Sequence, residues 1–320
     1  MIGAPLGRVA ALHLGVLGVL FGAQFVLGDY HHLNFARIMV LATYAVGYNI
    51  LFGYTGLLSL GHAMFFAAGL YGAGLAATQL SFAAPEAFLF GIAAGCVLSL
   101  AVGLLALRTT GVSFMIVTMM FAQVCYLLSL YFGRLTRGDE GFALKGAIRE
   151  PTMFGLTIDL TNASVRYNLA LALFGLALIG CLALVRSPIG RVLVAIRENE
   201  DRARMLGYDT FRHKLFALVV SGTISAAAGA AYALLFAYVG ATFASIEYSI
   251  LPLLWVLLGG LGTALGPLVG VLWMFYVKDV ASGYTSAYML AVGAILLGLI
   301  LWSPKGLLGA VRERLVPWLP

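Results

Sequence analysis

Hydrophobic positions in this chain fall into long uninterrupted runs. With histidine counted as neutral, no charge interrupts 9–28, 38–85, 87–107, 109–133, 167–185, 215–246, 248–277 or 280–304. A helix needs about 20 apolar residues to cross a bilayer, so these runs predict membrane spans. The 48-residue run at 38–85 must cross twice, with its turn at Gly53-Tyr54-Thr55-Gly56. None shows the ten-residue alternation of a membrane barrel strand, so the spans are expected to be helical. The run 248–277 contains Gly259-Gly260-Leu261-Gly262-Thr263-Ala264-Leu265-Gly266-Pro267, and proline with several glycines breaks a helix. Its halves, of about 11 residues each, reach only about 16 Å at about 1.5 Å per residue. A hairpin of two half-helices is therefore predicted there. The expected fold class is all-α: one polytopic membrane domain over 1–320, with about eight full transmembrane helices plus that hairpin. Val9 to Leu27 is read as a retained first span and not a signal peptide, because it is long, follows a single Arg8 and lacks a small-x-small cleavage site.

Composition agrees with that reading. The chain is 62% hydrophobic and 10% charged, against about 25% charged in soluble domains. The net charge of +6 does not point to nucleic acid, since the cations gather at the ends of apolar runs and no basic stripe alternates with aromatics. Cationic short segments face the cytoplasm in membrane proteins. Arg8, the segment 186–214 and the tail cations Lys305, Arg312 and Arg314 are therefore assigned to that side. Six spans, an even number, separate Arg8 from 186, which agrees with this assignment and predicts cytoplasmic N- and C-termini. The loop 134–162, with four cations and four acids, then lies outside, either as a dock for a soluble partner or as a plain connector. Cys96, Cys125 and Cys181 sit in apolar runs without ligand spacing and read as small buried hydrophobes.

Two glycine-broken segments occupy similar places in the two halves. They are Gly56 to His62, with Ser59 and Gly61 between, and Gly259 to Pro267, with Gly260, Gly262 and Gly266. Unwound backbone at membrane depth survives where it lines a cavity or is buried in protein, so paired breaks point to a translocation path. The competing reading is that these glycines allow close helix packing, as Gly69, Ala73 and Ala77 would. His62 has no carboxylate or second histidine near it in sequence, and a structural role, satisfied by backbone, Ser59 or Asn49, is expected. Gln123 and Asn49 read as hydrogen-bond partners between helices, and Glu247, Lys278 and Asp279 as residues of the membrane edge.

Every acid falls outside the apolar runs, and there is no GxxxxGK[ST], HExxH, GxSxG or paired-carboxylate motif. The chain thus shows no energy source, catalyst, cofactor site or metal site. Uphill transport would require another subunit to supply the work. A carrier or channel acting alone and a purely structural subunit are the rival classes. The absence of an intramembrane carboxylate weighs against the first, and the paired breaks against the second.

The segment 186–214 stands apart, with seven of the 19 Lys and Arg residues and four of the 13 acids. Ser187-Pro188 starts a helix. Asn199 or Asp201 can cap a second turn ending at Gly207. Val192, Leu193, Ile196, Met205 and Leu206 are expected to form a face that enters a groove on a partner; the alternative is a solvated basic loop.

Three blocks carry a resemblance. Gly56-Leu57-Leu58-Ser59-Leu60-Gly61-His62-Ala63-Met64-Phe65-Phe66, Gly190-Arg191-Val192-Leu193-Val194-Ala195-Ile196-Arg197-Glu198-Asn199-Glu200 leading to Gly207, and Leu257-Leu258-Gly259-Gly260-Leu261-Gly262-Thr263-Ala264-Leu265-Gly266-Pro267 closely resemble the LivM-type permease subunits of branched-chain amino acid ABC importers. The likeness covers most of 30–305, and urea and short-amide importers share the same blocks. It implies a chain that is not an enzyme and moves solute by alternating access in a bacterial inner membrane. It also implies a heterodimer with a paralogous permease, two ATP-hydrolysing subunits and a periplasmic binding protein. Asp201-Arg202-Ala203 with Gly207 is similar to the ATPase-coupling loop of such permeases. Only Ala203 and Gly207 match its Glu-Ala-Ala then Gly pattern strictly, and the later Ile-x-Leu-Pro element is absent. The coupling residues this implies are Arg191, Arg197, Glu198, Asn199, Glu200, Ala203 and Gly207.

Overall fold

A computed structural model describes residues 6–144, 152–153, 156–157, 159–160, 162–284, 287–302 and 306–314. The elements run α1 (Leu6–Ala23), α2 (Asp29–Asn49, continued by a π turn at Ile50–Tyr54), α3 (Ala63–Gln79), α4 (Ala84–Ala106), α5 (Val112–Tyr131) and the short α6 (Gly133–Thr136). Three two-residue strands follow, β1 (Phe142–Ala143), β2 (Thr152–Met153) and β3 (Leu156–Thr157). Then come α7 (Ala163–Arg186), α8 (Pro188–Glu198), α9 (Glu200–Met205) and α10 (Thr210–Phe236). The chain continues through β4 (Tyr238–Val239), α11 (Ile246–Gly259), α12 (Gly266–Tyr284), α13 (Tyr288–Trp302) and α14 (Leu307–Arg314). The fold is all-α and polytopic, and its long helices follow the order of the apolar runs.

Among the described residues, Tyr30–Tyr54, Ala84–Ala106, Val112–Tyr131, Ala163–Arg186 and Thr210–Phe236 are long and apolar enough to cross a membrane. The first is the central post: 78% of its most apolar stretch is buried, against 22% for Val112–Tyr131 at the periphery. Around it pack α7, α10 and α12. A second unit, α3 with α4 and α10, is joined where small residues let backbones touch. A Cβ added at Gly69 would lie 1.9 Å from the Ala226 carbonyl oxygen, and one at Gly95 would lie 2.0 Å from the Ala226 Cβ. This is the close approach that small residues permit between membrane helices, whose association gains little from the hydrophobic effect.

The broken run 248–277 differs from two equal halves. Its arms are 14 and 19 residues long. The uncharged run underestimates them because α11 takes in Glu247 and α12 continues through Lys278 and Asp279, where Tyr30 Oη donates to both Asp279 carboxylate oxygens at 2.9 Å. That contact marks one end of the molecule, far from 186–214. The same end carries the antiparallel pairing of Phe142 with Val239 and Ala143 with Tyr238, which fastens the loop 134–162 to the exit of α10. Of that loop's charges, Lys145, Arg149 and Glu150 lie outside the described residues.

The opposite end gathers α8, α9 and both helix breaks. α1 runs antiparallel to α7, with Tyr167 Oη donating to Leu20 O and Asn168 Nδ2 to Gln24 Oε1 at 3.0 Å. The start of α1 therefore shares an end with Arg186. α14 packs there too, since a Cβ added at Gly260 would meet the Gly309 backbone nitrogen at 2.9 Å.

Candidate functional site

The segment 186–214 folds as two capped helices and is not a loop. Ser187 Oγ accepts from the Gly190 N–H at 3.1 Å, Pro188 occupies the first turn, and Asn199 Oδ1 accepts from the Arg202 N–H at 2.9 Å. Gly207, at φ +87°, adopts the left-handed conformation in which a Cβ is unfavourable. α8 is amphipathic, yet its apolar face does not await a partner. Val192, Leu193 and Ile196 are buried against the protein itself, with Ala203 of α9 closing over Val192 and Ile196. Periodicity reveals an apolar face but not the body that covers it. Met205 and Leu206, expected on that same face, are instead 87% and 71% exposed at the tip of α9.

The tip is held by charge. Glu200 accepts from Lys214 Nζ, from Arg204 Nη2 at 2.7 Å and from Thr210 Oγ1 at 3.0 Å. Burial alone would raise the Glu200 carboxyl; the Lys214 hydrogen bond and charge, with help from Thr210 and Arg204, outweigh it and hold that carboxyl below its ordinary value. Arg191, Glu198 and Asn199 are exposed on the same surface.

At the end of α2 the π turn widens the helix, and Gly56, at φ +78°, lets the Leu57 N–H reach back to Leu51 O at 3.0 Å. The unwound stretch that follows is clamped by side chains. Tyr48 Oη donates to Ser59 O at 2.9 Å, the Leu60 N–H to Thr118 Oγ1 at 3.3 Å, the Gly61 N–H to Ser59 Oγ at 3.3 Å, and the Ala63 N–H to Ser249 Oγ at 3.0 Å. Gly61 lies so close to α5 that a Cβ would fall 1.9 Å from Thr118 O.

His62 is fully buried, and its partner is neither Ser59 nor Asn49. Its Nε2 lies 3.1 Å from Ser221 Oγ on α10, 159 residues away in sequence. Ser221 donates its hydroxyl proton to Gly47 O, so the Ser221 oxygen accepts from Nε2–H of His62. Nδ1 is left as a buried acceptor without a partner among the described residues.

The two breaks meet. Asn49 donates through Nδ2 to Thr263 O at 2.9 Å and accepts from the Gly262 N–H at 3.1 Å. Gly259 and Gly266 touch backbone to backbone, with an added Cβ at Gly259 falling 1.8 Å from Gly266 O. From α8, Arg197 Nη1 donates to Gly53 O, and the Arg197 stem lies over Gly56. Arg197 thus faces the core of the helical domain with one nitrogen while part of its side chain remains exposed.

A cavity of about 340 Å³ opens between α2, α10, α11 and α12, toward the end opposite α8. Tyr232, Phe243, Tyr248 and Trp255 wall it, and Lys278, Asp279 and Ser282 line it from α12. None of the glycines expected on a path lines it. It is connected to them by stacked rings: Tyr44 lies over Tyr248 at 5.9 Å and 11° and over His62 at 6.0 Å and 23°. The signal for this chamber was present in the spacing of Tyr248, Leu251 and Trp255 and of Val271, Met274, Phe275, Lys278 and Ser282, each set on one helix face. Reading Lys278 and Asp279 only as membrane-edge residues missed it.

A family model described as the permease component of the branched-chain amino acid transport system matches residues 34–302. The chain belongs to that family. Relatives of the permease include the high-affinity branched-chain amino acid transport system permease protein LivM of Escherichia coli (strain K12), 29% identical over 87% of this chain and 69% of the relative. The Salmonella typhimurium (strain LT2) protein of the same name is 28% identical over the same shares. A probable branched-chain amino acid transport permease protein LivM of Methanocaldococcus jannaschii is 31% identical over 39% of this chain and 41% of the relative. No solved structure matches the permease. The matched span contains both breaks, α8, α9 and the cavity.

Proposed function

We propose that this permease is the transmembrane subunit of an ABC importer that moves branched-chain, hydrophobic amino acids into the cytoplasm, with ATP hydrolysed in partner chains. The family match over 34–302 carries the reading, and the relatives' names favour branched-chain amino acids over urea or short amides. The assembly we envisage is a heterodimer with a paralogous permease, two ABC ATPase subunits and a periplasmic binding protein. The α8–α9 element is the ATPase-coupling element, with Arg191, Glu198, Asn199 and Gly207 on its surface and Arg197, Glu200 and Ala203 holding it to the rest of the chain. Its support is the exposed apolar tip at Met205 and Leu206, outside any apolar run. The path runs from the aromatic cavity past the Tyr248–Tyr44–His62 stack to Gly56, Ser59 and Gly61, flanked by Gly259, Gly260, Gly262 and Gly266. An apolar side chain suits the ring-lined wall, and the Lys278 and Asp279 charges suit a zwitterion. ATP and the loaded binding protein bias the two states of the path by their differential binding.

The test is co-purification in mild detergent from cells expressing the neighbouring permease and ATPase chains, followed by leucine uptake in proteoliposomes. Two ATPase subunits in the complex and ATP-dependent uptake are expected. Uptake by this chain alone, driven by an ion gradient, would overturn the reading.

We place both termini in the cytoplasm of a bacterial inner membrane, supported by the cation count and by the shared end of α1, α8 and α14. In a cysteine-free background, an impermeant thiol reagent should label Asp139→Cys in intact cells and Arg202→Cys only after permeabilisation, as both positions are exposed. The reverse pattern would invert the topology.

A further inference from the structure

Arg197 was expected to touch an ATPase; its geometry assigns it a different task. The last carbonyls of any helix lack donors within the helix, and α2 is no exception where its π turn ends. Arg197 Nη1 donates to one of them, Gly53 O, and brings a cation to the negative end of the α2 dipole. The same nitrogen lies 3.0 Å from where a Cβ on Gly262 would be, so the second break rests against it; at φ +69° any side chain on Gly262 would be strained. The Arg197 stem covers Gly56, with Cγ at 3.0 Å and Cβ at 3.3 Å from an added Cβ. Asn49 binds Gly262 and Thr263 from the other side. One side chain of α8 therefore sits where the first break, the second break and the amphipathic surface helix converge.

We propose that Arg197 is a positioning residue that couples α8 to both broken segments at once, so that a displacement of the α8–α9 element moves α2 and the α11–α12 hairpin together. The transport consequence rests on the function proposed above; the contact itself does not. A tilt of α8 draws the guanidinium away from Gly53 O, and the free carbonyl and the unsupported Gly262 then share the change. Lysine at 197 keeps a charge and three rotatable donors on a single nitrogen at the end of a flexible stem, but it lacks the planar fork that can serve Gly53 O while lying against Gly262.

Two measurements test this. In the isolated permease in detergent, amide exchange of 53–57 and of 260–263 is followed by mass spectrometry. R197A should raise exchange about tenfold or more in both segments and R197K by less, with no change at 142–144. A rise confined to 53–57, or none, overturns the proposal whatever the protein transports. In the reconstituted complex, amino acid moved per ATP hydrolysed is compared between the parent and the variants. R197A should lower that ratio at least tenfold while the ATPases still co-purify, and R197K should restore part of it. Loss of the ATPases from an R197A complex would make Arg197 a partner contact and overturn the inference while leaving the transport reading intact. An unchanged ratio also overturns it. If R197A does not fold, R197K and R197Q carry both measurements.

Discussion

Alanine in place of Gly229 should keep the permease from reaching its folded state. The new Cβ would lie 1.9 Å from Phe66 O and 2.8 Å from its carbonyl carbon, both backbone atoms of α3. A flexible side chain could move aside, but two helix backbones in contact cannot separate locally without unpacking α4 as well, because α3, α4 and α10 share one interface. Overpacking typically costs about 1–3 kcal/mol when side chains can adjust; against backbone the expected penalty is at or above the top of that range. That is a large part of the roughly 5–15 kcal/mol that stabilises a typical domain. Fluorescence-detected size exclusion with a thermal ramp should show little monodisperse protein for G229A. Alanine at Gly180, whose position on α7 meets nothing within 4 Å, should be neutral or raise the melting temperature slightly, since glycine within a helix is worth about 1 kcal/mol less than alanine. Normal behaviour of G229A would mean that α3 and α10 stand far enough apart at Phe66 to admit a methyl group.

Glu200→Ala should be the most damaging substitution in the α8–α9 element. The carboxylate is the common acceptor of Lys214, Arg204 and Thr210, and the Lys214 side chain is only 10% exposed. Removing it leaves a nearly buried ammonium without its anion, which is worse than removing both. About 2 kcal/mol of local stability should be lost, within the range for leaving a buried polar group without its partner, and the Glu200→Gln, Lys214→Met double variant should recover part of it. The pH dependence follows from the sign of the shift. The folded-state carboxyl titrates below the ordinary glutamate value of about 4.3, so the pair stabilises fully above that value and is lost as pH falls through the lower, folded-state one. Parent and E200A melting temperatures should thus differ at neutral pH and converge in acid. A difference that does not change with pH would show that Glu200 acts through packing and not charge.

Much of this architecture was legible in the linear sequence because charges mark where a bilayer span ends. The two passes of 38–85, the capped start at Ser187-Pro188, the Asn199 cap and the break at Gly259–Pro267 are all local signals, and local signals survive in a single sequence. What failed was anything that depends on who covers whom. Val192 and Ile196 announced an apolar face, but only the fold reveals that α9 and the membrane domain bury it. His62 announced a buried imidazole, while its partner Ser221 sits on a helix that nothing near His62 specifies. The cavity is assembled from four helices whose contributing positions are each ordinary in their own span. Arg197 and Glu198 look alike as exposed charges on one helix, yet they differ by one helical step of about 100°, which turns Arg197 toward Gly53.

The bridge from Asn49 to the second break has a bearing on biogenesis. Its two partners lie 213 and 214 residues later in the chain, so the amide enters the bilayer during synthesis long before anything can satisfy it. The nascent N-terminal half must wait in the membrane with a polar group exposed at the end of α2, sheltered by water at the interface or by the insertion machinery, until α11 and α12 arrive. A chain truncated before Gly262 would therefore lack both partners of the Asn49 amide, a polar group of the kind that is costly when left unpaired within a membrane.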